Sequence, residues 1–142
     1  PLLIGTIGAG FTLEAIPTWY TTLNKPFFTP PNWLFGPVWT VLYILMGIAC
    51  LAIWNSKDSL HKKCALHLYG IQLALNALWT PIFFGAHNLW LSLLIILLLW
   101  IFILFTIVTF YRIKPWTIFL LIPYLAWVTF ASALNAWILW LN

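Results

Sequence analysis

Amide and aromatic side chains recur at helical spacing in three apolar segments of this sequence. The three stripes are Gln72, Asn76 and Thr80; Trp127, Ala131 and Asn135; and Trp39 with Tyr43. Residues four positions apart lie on the same face of a helix, so each segment aligns its polar or aromatic groups on one side. A cavity walled by indoles and amides suits a flat, apolar ligand with a few polar handles. The stripes therefore predict a ligand-binding site between helices.

The same amides have a simpler interpretation as contacts between helices. Amides in membrane helices hydrogen-bond to neighbouring helices, which contributes about 0.6 kcal/mol on average. A bundle that needed only such contacts would not require an indole beside each amide stripe, and Trp79 adjoins the first stripe. Both interpretations stay open from the sequence alone. Ala131 has two alternatives of its own, because its methyl group either points into the cavity or faces lipid.

The sequence contains no set of residues suited to hydrolysis or phosphoryl transfer. It has no Ser–His–Asp set, no paired carboxylates and no glycine-rich phosphate loop. His61, His67 and His87 fall in predicted loops or near helix ends, and no spacing brings two of them together on a haem. Cys50 and Cys64 are isolated and lack metal-ligand partners. We expect no metal site and no required cofactor.

The composition of the chain indicates that the helices carrying these stripes lie in a lipid bilayer. Of the 142 residues, 64% are hydrophobic and 6% are charged, whereas a soluble domain has about 25% charged residues. Five apolar stretches, 2–20, 33–54, 65–84, 89–111 and 116–141, are each long enough to cross a hydrocarbon core. Their apolar runs do not alternate with polar residues, which excludes barrel strands. The prediction is an all-α, integral membrane bundle of five transmembrane helices, forming a single domain over residues 1–142.

The charged residues predict how this bundle is oriented. The connections near 55–64 and 111–115 lie on the N-terminal side and carry Lys57, Lys62, Lys63, Arg112 and Lys114. The opposite side has only Lys25. The positive-inside rule then places the N-terminus inside, in a bacterial-type cell membrane. The net charge of +4 follows from these connections and does not indicate nucleic-acid binding; the expected surroundings are membrane lipid.

The connection 21–32 differs from the others because it combines prolines with aromatic residues. Proline restricts the backbone, so this segment is semi-rigid. It is either a stiff connector or a lid over the mouth of the bundle, since loops with their own packing are often functional.

The tryptophans fall into two groups by their depth in the predicted spans. Those near span ends are interface anchors, whereas Trp39, Trp79, Trp100 and Trp127 lie too deep for that role.

Small residues predict a surface for self-association. Gly70 and Ala74 form a small-xxx-small pair on the third predicted span, which permits close approach of two helices. The pair either joins two copies in a homodimer or packs within one subunit.

Several short motifs, in order along nearly the whole chain, resemble those of the translocator protein family, also called tryptophan-rich sensory proteins (TspO/MBR). They are Trp19-Tyr20, Lys25-Pro26, Pro30-Pro31, Trp39-Thr40, Leu42-Tyr43, Met46-Gly47, Gln72 to Asn76, Pro81 to Gly85, Pro123 to Trp127, Phe130-Ala131 and Leu134-Asn135. The resemblance implies a five-helix bundle, usually homodimeric, that binds porphyrins, sterol-like lipids and isoquinoline or benzodiazepine ligands. It also implies a pocket beneath the first loop, lined by Trp19, Tyr20, Pro30, Trp39, Tyr43, Asn76, Thr80, Phe83, Trp127 and Ala131.

The resemblance leaves the activity open among three alternatives. The expected function is a membrane receptor or sensor that binds tetrapyrroles such as protoporphyrin IX. A tetrapyrrole or lipid transporter is a second alternative, although the sequence shows no pair of broken helices. A third is light-dependent porphyrin breakdown, in which the resemblance implicates Trp39 and Trp127. Residues 136–141 lack the tyrosine and basic residue of the animal sterol-recognition pattern, which lowers the expected affinity for cholesterol and suggests a bacterial source.

Overall fold

The computed structural model describes residues 35–85 and 88–141, and all regular structure within them is helical. The four α-helices are α1 (Phe35–Trp54), α2 (Leu60–Thr80), α3 (Leu89–Ile113) and α4 (Ile118–Leu141). A π-helical turn, Pro81–Gly85, continues α2, and a 3-10 turn, Pro115–Thr117, precedes α4. The predicted span 2–20 and the connection 21–32, with Lys25, lie outside the described residues.

Capping side chains fix where two of the helices begin. The Ser59 hydroxyl accepts a hydrogen bond from the backbone N–H of Lys62 at 3.1 Å, at the start of α2. The Asn88 side chain accepts one from the N–H of Leu91 at 2.9 Å, at the start of α3. Such caps satisfy backbone donors that have no partner within the helix. The two caps therefore mark where α2 and α3 begin.

Two helices extend further into charged residues than predicted. Helix α2 begins at Leu60 rather than at residue 65, so Lys62 and Lys63 lie in its first turn and not in a loop. Helix α3 continues to Ile113, which places Arg112 in its last turn. Both differences have one cause. The predicted spans stop where charged residues interrupt the apolar run, but the helices continue because lysine and arginine are good helix formers. His67, predicted near a helix end, lies well inside α2.

The helices form a closed ring in which each packs against two neighbours. Helix α1 packs against α2 and α4, α2 packs against α3, and α3 packs against α4. The enclosed core takes side chains from all four helices, including Met46, Tyr69, Ile96, Phe110 and Val128. Large apolar side chains also cover the outer surface, among them Leu51, Leu94 and Phe119. An outer surface of this kind is suited to lipid rather than to water.

Three helical segments of the described residues are long and apolar enough to cross a membrane. They are Gly36–Trp54, Leu89–Ile113 and Pro115–Leu141. Helix α2 is more polar because lysines occupy its first turn and amides line its inner face. Since α2 lies in the ring between α1 and α3, its amides face other helices. The chain is therefore an integral membrane protein with an all-helical described part.

Candidate ligand-binding site

The indole of Trp39 is the centre of a cluster of aromatic rings contributed by three helices. Its ring centroid lies 5.7 Å from that of Tyr43, in a stacked arrangement. Trp79 of α2 lies at 6.4 Å. From α4, Tyr124 lies at 6.4 Å and Trp127 at 6.3 Å, both edge-on to Trp39. These separations are within the 4.5–7 Å range in which aromatic pairs attract.

Two phenylalanines extend this cluster at its edges. Phe83 stacks on Trp79 with centroids 5.1 Å apart, and Phe130 lies 5.5 Å from Trp127. Phe83 belongs to the π-helical turn Pro81–Gly85, which is closed by a hydrogen bond from the Asn88 N–H to the Ile82 carbonyl at 3.1 Å. Single π-helical turns occur often at functional sites. We name the aromatic cluster as Trp39, Tyr43, Trp79, Phe83, Tyr124, Trp127 and Phe130.

A chain of buried hydrogen bonds lies directly beside the aromatic cluster. The Tyr43 hydroxyl donates to the side-chain oxygen of Asn76. The side-chain amide N–H of Asn76 donates to the Tyr124 hydroxyl at 2.9 Å. The Tyr124 hydroxyl in turn donates to the side-chain oxygen of Gln72 at 2.8 Å. All four side chains, which we call the polar network, are at most 5% exposed. The network links α1, α2 and α4 across the interior of the ring.

A second amide links the aromatic cluster to the start of α3. Asn135 of α4 accepts a hydrogen bond from the Trp79 indole N–H at 3.1 Å. Its own amide donates to the Leu89 carbonyl at 3.2 Å. Asn135 is 1% exposed, so both bonds are shielded from solvent. It thereby holds the orientation of the Trp79 indole, one of the rings that contact Trp39.

The structure describes seven of the ten predicted site residues and brings five of them into one region. Trp39, Tyr43, Phe83 and Trp127 belong to the aromatic cluster, and Asn76 belongs to the polar network. Three predicted residues, Trp19, Tyr20 and Pro30, lie outside the described residues. The other two are Thr80, half-buried as the last residue of α2, and Ala131, buried at 5% exposure.

The burial of Ala131 excludes the alternative in which its side chain faces lipid. With 5% exposure it packs within the core, whereas Ala133, two residues later, is exposed. The stripe of Trp127, Ala131 and Asn135 therefore faces inward, as the spacing predicted. Whether Ala131 contacts a ligand stays a prediction.

The amides also fulfil the simpler role as contacts between helices. Gln72, Asn76 and Asn135 each hydrogen-bond to a side chain of another helix. Within the aromatic cluster, Trp39, Trp127 and Phe130 are half-buried and the other four rings are buried. The amides therefore connect the helices, and a ligand-binding role of the indoles stays a prediction.

The described residues contain no group of three His, Cys, Asp or Glu side chains that could hold a metal ion. His61 and His67 are exposed on α2, and the His67 ring bonds to the Lys63 carbonyl at 2.8 Å. Cys50 is half-buried and Cys64 is exposed. His87 lies outside the described residues.

Comparison with known proteins decides the family. The model of the TspO/MBR family matches residues 1–141. The chain belongs to the TspO/MBR family. It is 46% identical over 144 residues to tryptophan-rich protein TspO of Archaeoglobus fulgidus, covering 99% of this chain and 91% of the relative. It is 40% identical over 117 residues to the tryptophan-rich sensory protein of Cereibacter sphaeroides, covering 82% and 72%. It is also 42% identical over 119 residues to the human translocator protein, covering 82% and 70%.

Within this TspO/MBR chain, sequence reasoning missed two residues of the aromatic cluster, Phe130 and Tyr124. Tyr124 also belongs to the polar network. Its hydroxyl is the only link between Asn76 and Gln72 in the polar network, and the side chain is 1% exposed. A signal was present, because Tyr124 precedes Trp127 by three residues and Ala131 by seven, which places all three on one helical face. Spacing identifies that shared face but not the partner across the bundle.

Proposed function

We propose that this TspO/MBR chain is a membrane receptor or sensor that binds tetrapyrroles, including protoporphyrin IX and haem-like rings, and isoquinoline or benzodiazepine-type ligands. The observation that carries the proposal is the position of Trp39, whose ring lies within 6.4 Å of four other aromatic rings. Edge-on and stacked rings offer a flat conjugated ligand a surface that matches its own shape and polarizability.

The polar network supports this proposal by making the aromatic surface rigid. Tyr43 and Tyr124 each contact Trp39 with the ring and bond to Asn76 with the hydroxyl. A ring held in this way loses little further freedom when a ligand binds, which lowers the entropic cost of binding. The ligand would then meet a preformed aromatic surface. No cofactor is required, and porphyrin enters as a ligand.

Fluorescence quenching tests this proposal, because a bound porphyrin or isoquinoline quenches nearby indoles. In the double variant Trp39→Phe/Trp127→Phe, most of the ligand-induced quenching should be lost, and loss of one stacking partner should cost on the order of 1 kcal/mol of binding. The matched control is Trp54→Phe/Trp140→Phe, which also removes two of the 11 tryptophans. Those indoles are 64% and 84% exposed at helix ends. Equal loss in both double variants would refute the location of the site.

A second candidate, light-dependent breakdown of protoporphyrin, is favoured by the edge contact of Trp39 with Trp127 at 6.3 Å. Two redox-active indoles would then adjoin one bound photosensitiser. Illumination of the protein with protoporphyrin distinguishes this activity from simple binding by the appearance of porphyrin products. A flux assay in liposomes tests the third possibility, transport, on the same preparation. A receptor gives binding without products and without flux.

We further propose that the chain forms a homodimer through α2. Gly70 and Ala74 are both exposed on this helix, and, apart from the neighbouring residues and backbone of α2 itself, no atom lies within 4 Å of the position that a Cβ at Gly70 would occupy. The surface at Gly70 is therefore open in one subunit, which favours a contact between two copies over packing within one. We also propose the orientation with the N-terminus inside a bacterial-type membrane, from the cation distribution.

A further inference from the structure

The cations of the described residues all lie at one end of the bundle. Lys57 is in the connection between α1 and α2, Lys63 is in the first turn of α2, Arg112 is in the last turn of α3, and Lys114 follows α3 directly. All four side chains are exposed. We call them the basic face. The described residues at the opposite end, 80–85, 88–90 and 137–141, contain no charged residue.

Lys62 lies at the same end but has a different role. Its amino group contacts the Asp58 carboxylate at 3.0 Å and donates to the Ser56 carbonyl at 3.1 Å. It also lies 5.7 Å from the ring centroid of Trp54. Asp58 is the one acidic residue in the described part of the chain. Lys62 is thus paired with the available carboxylate, and the four cations of the basic face have no carboxylate partner among the described residues.

Packing between α2 and α3 makes the basic face continuous. Tyr69 of α2 stacks on Phe110 of α3, with ring centroids 5.9 Å apart. This contact fixes the register of two antiparallel helices, and Arg112 follows Phe110 by two residues. Lys63 precedes Tyr69 by six residues, so it lies about 9 Å closer to the same end at 1.5 Å per residue. The cations therefore occupy a narrow band at the end of the bundle.

Exposed aromatic residues place this band at the depth of lipid headgroups. Trp54 at the end of α1, Tyr111 in the last turn of α3 and Trp116 before α4 are 64%, 53% and 49% exposed. Tryptophan and tyrosine in such positions lie at the membrane–water interface. Exposed tryptophans, Trp90 and Trp140, also occur at the opposite end, so an aromatic belt alone does not distinguish the two ends. Charge does.

We propose that the basic face binds the headgroup phosphates of anionic phospholipids in one leaflet. Cations at headgroup depth attract anionic lipids, and the attraction declines within a Debye length of the surface. Charge complementarity selects this occupant, because the four cations of the basic face are left without an acidic partner among the described residues. The inference concerns another part of the molecule than the aromatic cluster and does not depend on the identity of the ligand there.

Spin-labelled lipids test this proposal on the full chain reconstituted in phosphatidylcholine vesicles. Electron paramagnetic resonance gives the association of labelled phosphatidylglycerol relative to labelled phosphatidylcholine. The native protein should prefer phosphatidylglycerol by at least about threefold at low salt, and the preference should decrease in high salt. The variant Lys57→Gln/Lys63→Gln/Arg112→Gln/Lys114→Gln should lose the preference. The half-variants Lys57→Gln/Lys63→Gln and Arg112→Gln/Lys114→Gln should each lose part of it.

The control for this test is Asp58→Asn/Lys62→Gln, which removes two charges at the same end without changing the net charge. This variant should keep the native preference for phosphatidylglycerol. Equal association of the two lipids with the native protein would overturn the proposal. So would a preference that persists in the fourfold variant, or one that is lost equally in the control.

Discussion

Replacement of Tyr124 by phenylalanine should destabilise the bundle although it removes a single oxygen atom. That hydroxyl accepts from Asn76 at 2.9 Å and donates to Gln72 at 2.8 Å. The substitution leaves an amide hydrogen and a carbonyl oxygen without these partners, on side chains that are 2% and 1% exposed. Water cannot readily replace the lost bonds at such burial.

The magnitude follows from the number of bonds lost. Side-chain hydrogen bonds between membrane helices contribute about 0.6 kcal/mol on average and about 1.7 kcal/mol at most. Two lost bonds should therefore lower the free energy of unfolding by about 1–3 kcal/mol. Tyr43→Phe removes one bond of the same network, the donation to Asn76, and should cost about half as much.

Reversible unfolding in mixed micelles, followed by circular dichroism during a titration with denaturing detergent, measures these differences. The matched control is Tyr111→Phe, because Tyr111 is 53% exposed and its variant should stay within about 0.5 kcal/mol of the native protein. If Tyr124→Phe were as stable as the Tyr111→Phe control, the polar network would not hold the helices together and the reasoning would be wrong.

Two further predictions concern ligand binding and assembly. Ala131→Thr should weaken binding of protoporphyrin or an isoquinoline about tenfold, or about 1.4 kcal/mol, because Ala131 is buried beside Trp127; the exposed Ala133→Thr should bind normally, and equal dissociation constants for both would contradict the prediction. Gly70→Leu should weaken the dimer in detergent without unfolding the subunit, since no atom beyond the adjacent part of α2 lies within 4 Å of the added Cβ. Cross-linking measures the effect, with the exposed Ala126→Leu as control, and an unchanged pattern would exclude α2 as the interface.

Helical spacing alone predicted which faces of α2 and α4 turn inward. In the first stripe Gln72 and Asn76 are buried and Thr80 is half-buried. In the second, Ala131 and Asn135 are buried and Trp127 is half-buried. The reason is physical: polar side chains are costly in lipid, so a face that carries them packs against other helices. The tight clustering of the rings around Trp39 follows from the same faces meeting inside the ring of helices.

The sequence could not predict which residues pair across the bundle. The spacing of Tyr124 shows on which face of α4 it lies. The hydrogen bond to Asn76, however, depends on how far α2 and α4 are shifted along each other. The predicted start of α2 was wrong for another reason. The cations of its first turn end an apolar pattern without ending a helix, and the cap at Ser59, which does mark the boundary, is a weaker signal than hydropathy.

The most direct test of the proposed receptor is a structure of the chain with protoporphyrin IX bound in a lipid bilayer. The proposal predicts that the porphyrin plane contacts Trp39 and Trp127, with Ala131 within van der Waals distance and the Tyr43–Asn76–Tyr124 bonds unchanged. A porphyrin bound on the lipid-facing surface of α3, or one that leaves both indoles untouched, would contradict it.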